Sequence, residues 1–170
     1  MLFSSGLPVV MAAGAMLMDL RRGRVDNGWI LFGLFIGLWT RLLAEGPKGI
    51  FPFLGGGILP LLVLWWLFAL HMLGAGDIKL FCVLGGFLGM VRILKCILCS
   101  MVIGAALSGA ILVSCGNVRE RLCYFIHYIR NLQRTKKRLP YSREGVEHPE
   151  NFHFTVPVFL SVLLCVGGVY

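Results

Sequence analysis

The chain has 170 residues, 58% of them hydrophobic and 14% charged, with a formal net charge of +8. So few charges cannot cover the surface of a soluble domain of this size, which excludes an ordinary globular protein and indicates an all-α polytopic membrane protein. The positive charge suits membrane topology and calls for no nucleic-acid partner.

Spanning a bilayer core takes about 20 mostly apolar residues per helix, so the chain has room for five or six spans. The pattern predicts six transmembrane helices in one membrane-embedded domain over residues 1–170. The first apolar segment, Leu2 to Met18, lacks a basic stretch before it. Its positive charges come after, in "DLRRGRVDN", so it reads as a retained first span and not as a cleaved signal peptide. The second runs from Gly28 to Leu43 and ends in "AEGPKG"; the third runs from Ile50 to Leu73 and ends in "GAGDIK".

The fourth segment, Leu80 to Val91, is short. Its 12 residues cover only about 18 Å of a core about 30 Å thick. A helix starting near Gly76 and ending near Lys95, whose ammonium can reach outward, would restore the full length. That choice places Asp77 in the first turn of a membrane helix, where the N-terminus favours a carboxylate. The fifth segment is Cys96 to Cys115, after "RILK"; the sixth is Phe154 to Tyr170.

Between the last two lies a basic connection, residues 116–153. In "RLCYFIHYIRNLQR", Leu122, Phe125, Ile126, Ile129 and Leu132 recur at helical spacing, which predicts an amphipathic helix on the cytoplasmic membrane surface. The following "TKKRLPYSREGVEHPEN" has two prolines and no periodicity and reads as a loop. Its charge suits an anionic lipid or partner, but ordinary enrichment of cytoplasmic loops in lysine and arginine is the favoured account.

Basic residues orient the chain. With the first, third and fifth connections in the cytoplasm, that side holds Arg21, Arg22, Arg24, Lys79, Arg119, Arg121, Arg130, Arg134, Lys136, Lys137, Arg138 and Arg143; only Arg41, Lys48, Arg92 and Lys95 remain outside. The expected protein is a multi-pass plasma (inner) membrane protein with both termini extracytoplasmic. Its six cysteines, Cys82, Cys96, Cys99, Cys115, Cys123 and Cys165, fall mostly in apolar runs. "CILC" (Cys96 to Cys99) lacks the second pair a zinc site needs, so the cysteines read as packing residues and no metal or cofactor is expected.

Of the eight acidic residues, Asp19 and Asp77 stand apart. Each lies at the cytoplasmic boundary of a span, so the two share a depth in the membrane. Carboxylates there are costly and indicate function, unless each pairs locally: Asp19 with Arg21, Arg22 or Arg24, and Asp77 with Lys79. Two carboxylates a few ångströms apart resist joint ionisation and share a proton. Such a dyad can hydrolyse a peptide bond, one member taking a proton from water and the other polarising the carbonyl. Gly74 and Gly76 would allow unusual backbone angles and close approach of an extended substrate.

"GAGDIKL" (Gly74 to Leu80) resembles the GxGD motif of the type IV prepilin peptidases. "DLRRGRVDN" resembles that family's first motif, an aspartate ending the first span and then a basic loop with an Ile-Pro-Asn-like triplet. "HFTVPVFLSVLL" (His153 to Leu164) is similar to its last span. The resemblance implies an intramembrane aspartic endopeptidase that cuts the leader from prepilin-like (or pseudopilin- or preflagellin-like) precursors at the cytoplasmic face. Asp19 and Asp77 would be catalytic, and Gly74, Gly76, Lys79 and Asn27 would shape the site. Two departures stand out. Val25-Asp26-Asn27 replaces Ile-Pro-Asn, and no insertion with two CxxC pairs lies between the first two spans, so N-methyltransferase activity is not expected.

Other chemistries fit less well. A Ser-Lys peptidase needs a serine beside a lysine at one face; Ser4 and Ser5 lie on the wrong side, and Ser100 and Ser108 lie within a span. His71 reads as a structural histidine. The alternative from another class is a small proton- or cation-coupled transporter or assembly subunit with Asp19 and Asp77 as ion ligands.

Overall fold

The computed structural model describes residues 2–69, 73–114 and 153–169. All regular structure among them is helical: α1 (Leu2–Arg22), α2 (Asn27–Glu45), a single 3-10 turn (Gly46–Gly49), α3 (Ile50–Ala69), α4 (Ala75–Leu88), α5 (Met90–Ser114) and α6 (Thr155–Val166). The chain forms two compact units, Met1–Gly104 with His153–Tyr170, and Ala105–Phe152. Of the second unit, only the end of α5 is described; the helix crossings and the candidate site belong to the first. The expected surface helix and the loop after it lie outside the described residues.

At the centre of the first unit is α4. Ile78, Leu80, Phe81, Val83, Leu84 and Phe87 are all buried, which is why this helix is apolar on every side. Neighbours approach it through glycines. Gly56 of α3 and Gly85 of α4 meet so closely that a Cβ on either would collide with the other's carbonyl oxygen. Gly33 of α2 accommodates Met11 and Val83, and Gly37 makes room for Phe53 and Phe87. Small residues at helix crossings give the close packing on which association within a membrane depends.

The α1–α2 pair is an antiparallel hairpin. Gly23, at φ 65°, ends α1 in a left-handed turn, its N–H donating to the Asp19 carbonyl at 2.7 Å. Asp19 is thereby fixed in the final turn of α1. The indole Nε1 of Trp29 donates to the Met11 carbonyl across the hairpin at 3.1 Å.

The fourth helix departs from the sequence expectation. It begins at Ala75, close to the Gly76 start, but ends at Leu88 and does not reach Lys95. Gly89, at φ 81°, breaks it, and "RILK" is inside α5 instead of forming a connection. Fourteen residues cover about 21 Å, short of a full apolar core. Its C-terminal end is capped from α2. Arg41 Nη2 donates to the Phe87 carbonyl at 3.0 Å, while Nη1 pairs with Glu45 at 2.6 Å. The cation complements the negative end of the helix.

Two stretches are long and apolar enough to cross a membrane by length and composition, Asn27–Ala69 and Met90–Ile111. The first contains α2 and α3 joined by the 3-10 turn. Their outward faces carry Phe35, Trp39, Phe51 and Trp66, with Phe51 82% and Trp66 74% exposed. Side chains of this kind left open in rows require an apolar surrounding.

Candidate active site

Three helix ends meet around the first aspartate. The last turn of α1 supplies Asp19, and its side chain is only 15% exposed. The first turn of α4 supplies Asp77, which is half-buried. The start of α6 supplies His153 and Thr155. Pro157 suits this position, because an N–H in the first turn would have no intrahelical acceptor. The helix is held in place by Ser161, whose Oγ donates to the Cys96 carbonyl at 2.7 Å, and by Phe154, edge-on to Phe81.

Asp19 and Asp77 are near enough that the charge of one acts on the other. Of the cations that the alternative of local pairing offered, Arg22 and Lys79 have other partners. Asp19 Oδ2 accepts from Thr155 Oγ1 at 2.8 Å and lies 3.1 Å from His153 Nδ1. Arg22 pairs with Asp26 at 3.7 Å, in an exposed contact. Lys79 Nζ donates to Asn27 Oδ1 at 2.9 Å. Lys79 and Asn27, both expected near the site, thus meet each other, joining the first turns of α4 and α2.

The glycines of "GAGD" serve a purpose other than unusual backbone angles. Gly74, at φ −72° and ψ 146°, is an extended N-cap residue, and Gly76 is not among the positive-φ glycines. The Gly74 backbone N–H is a hydrogen-bond partner of the Asp77 carboxyl. A Cβ at Gly74 would sit 3.2 Å from Asp77 Oδ2, whereas one at Gly76 would meet only the Val25 Cβ, at 4.0 Å. Gly74 therefore keeps the space beside the carboxylate open.

His153 and Thr155 were not identified from the sequence as site residues. A signal for them was present: polar residues stand immediately before the last apolar run, as Asp19 stands at the end of the first. Among the serines considered for a Ser-Lys pair, Ser100 is buried and donates to the Ile97 carbonyl of its own helix at 2.8 Å. His71 lies outside the described residues.

Chemically, the site offers two interacting carboxylates, one anchored by hydrogen bonds and one at a helix N-terminus beside open backbone. A family model matches residues 7–109, more than half of the chain, including both aspartates and Lys79 but not α6. No curated protein and no solved structure matches the chain. A match over that share of the sequence shows the family: the chain belongs to the type IV leader peptidase family.

Proposed function

We propose that this protein is an intramembrane aspartic endopeptidase that removes leader peptides from prepilin-like precursors at the cytoplasmic membrane face. What supports the reading is that α1 and α4, helices far apart in sequence, bring Asp19 and Asp77 within electrostatic range of each other. Like charges at such range favour a pair holding one proton. The ionised carboxylate takes a proton from water as its oxygen attacks the scissile carbonyl carbon. The protonated partner donates to the carbonyl oxygen, giving a tetrahedral diol. Its collapse breaks the C–N bond as a proton passes to the departing amine, and the pair returns to one proton.

The proposed arrangement is six spans, with both termini extracytoplasmic and the site facing the cytoplasm. The bias of lysine and arginine toward the end of α1 and the residues after it, the start of α4 and the connection after α5 supports it. The segment from 116 to 153 would then carry its charge beside anionic lipids. No second activity is proposed, and N-methylation of the product would fall to another protein.

Co-expression with a precursor bearing a basic leader, a glycine and an apolar helix tests the reading, with leader loss followed by gel shift. Wild type should process the precursor, while Asp19→Ala and Asp77→Ala should leave it intact. Normal processing by Asp77→Ala would overturn the assignment.

A further inference from the structure

Asp19 and Asp77 have different surroundings, and the difference concerns which of them is the base. Both neighbours of Asp19 from α6 converge on a single oxygen. Thr155 Oγ1 donates to Oδ2 at 2.8 Å, and His153 Nδ1 lies 3.1 Å from the same atom. Thr155 is buried, with 1% of its surface exposed, so its hydroxyl does not exchange this acceptor freely for water. A carboxylate oxygen facing two donors is stabilised in its charged form, and charge-assisted bonds are stronger than neutral ones. Asp77 has no comparable pair among the described residues; its partner is the Gly74 backbone N–H. Two other nearby cations are already engaged, Arg22 by Asp26 and Lys79 by Asn27.

We infer that His153 and Thr155 are positioning residues that engage Asp19 as a hydrogen-bond acceptor and fix its carboxyl group, which makes Asp19 the base that activates water and Asp77 the acid that protonates the scissile carbonyl. The inference rests on the peptidase reading for its roles, but not for the anchoring of Asp19 by these two residues. To donate, His153 must carry its proton on Nδ1, as the neutral Nδ1–H tautomer or as imidazolium. Thr155 needs no such condition. Oδ2 held by both leaves Oδ1 as the oxygen free to take the water proton. The two residues act through Asp19 and lie outside the span that matches the family model.

The experiment has two arms. The chain contains only three aspartates, Asp19, Asp26 and Asp77, so full-length protein labelled with carbon-13 at aspartate, in lipid nanodiscs, can be titrated by infrared spectroscopy. In Asp77→Asn protein, Asp19 titrates without its partner, and Asp26 serves as the exposed reference. Thr155→Val and His153→Ala should each raise the Asp19 midpoint by about one pH unit, the size of one hydrogen bond to a charged group. Thr155→Ser and His153→Asn, which keep a donor in place, should return it toward the starting value. A midpoint that neither deletion moves overturns the inference.

In the second arm, Asp77 is intact and leader cleavage is followed against pH. Thr155→Val should lower kcat about tenfold with KM nearly unchanged, and move the acidic limb of the profile upward while the alkaline limb stays. Movement of the alkaline limb instead would reverse the roles and overturn the assignment. A rise in KM with both limbs fixed would show these residues to be substrate contacts, and would overturn it as well. If wild type cleaves no precursor, the peptidase reading fails, and the infrared arm still decides whether His153 and Thr155 bond to the Asp19 carboxyl.

Discussion

Lys79 Nζ and Asn27 Oδ1 lie 2.9 Å apart and join the first turn of α4, two residues beyond Asp77, to the first turn of α2. Both residues are exposed, so the bond serves to register the two helix ends, not to supply much stability. Beside it, Val25 faces Gly76, and the connection between α1 and α2 is thereby held against the start of α4. Lys79→Ala and Asn27→Ala should each lower leader cleavage several-fold, and the double variant should be no worse than either single one. A double-mutant cycle on kcat/KM checks this: residues that act only through each other show such non-additivity. Additive losses would mean that Lys79 has a separate partner in the substrate.

Gly74 and Gly76 should respond differently to the same change. A methyl group at 74 would lie 3.2 Å from Asp77 Oδ2, while one at 76 would meet Val25 at an ordinary distance. Gly74→Ala should therefore cut cleavage by about tenfold or more, since displacing a reacting group slightly is costly. Gly76→Ala should fold at least as well as wild type, because alanine favours a helix over glycine by about 1 kcal/mol. Initial-rate assays alongside protein yield separate the two outcomes.

How much could be read in advance depends on the range of each interaction. α1, α2 and α3 follow apolar runs whose ends are marked by local signals, and their boundaries were legible within a few residues. Asp19 and Asp77 stand out in the sequence because a carboxylate at the edge of an apolar run is conspicuous alone, and they remain the proposed pair. The end of α4 was not, because Gly89 breaks the helix with a left-handed residue, and a single glycine in an apolar stretch is equally consistent with a continuing helix. The partners of Asp19 were not legible either. His153 and Thr155 lie 134 and 136 residues away, and no periodicity links positions at that separation. The local pairing of each aspartate with nearby cations was the alternative that spacing left open. It failed for Asp77 because Lys79 reaches Asn27, and for Asp19 because Oδ2 is taken from α6.

The crossing of α3 and α4 gives a stability prediction independent of catalysis. Gly85→Ala would drive a methyl group into the Gly56 carbonyl oxygen, and two helix backbones in contact have no flexible side chain to yield. The cost should be about 1–3 kcal/mol, as for other overpacked sites. At Gly57 the nearest obstacle to a Cβ is the Cys82 carbonyl at 3.3 Å, so Gly57→Ala should cost less. Thermal unfolding in detergent, read by tryptophan fluorescence, should rank wild type above Gly57→Ala and Gly57→Ala above Gly85→Ala. Equal midpoints for the two variants would contradict the close crossing.

The pH dependence of cleavage follows from the pair sharing one proton. At low pH both carboxyls are protonated and no base remains to take a proton from water. At high pH both are ionised and no acid remains for the carbonyl oxygen. Activity should therefore fall on both sides of an optimum, the two limbs bounding the range in which the pair holds one proton. Asp19→Asn and Asp77→Asn should each reduce kcat by about 10²–10⁴-fold, the usual contribution of a positioned acid or base. Because the two act on one proton, the double variant should be little worse than either single variant. Initial rates across the pH range, with precursor at saturating concentration, measure all of this together. A profile that stays flat while both single variants are inactive would place the aspartates in binding and not in proton transfer.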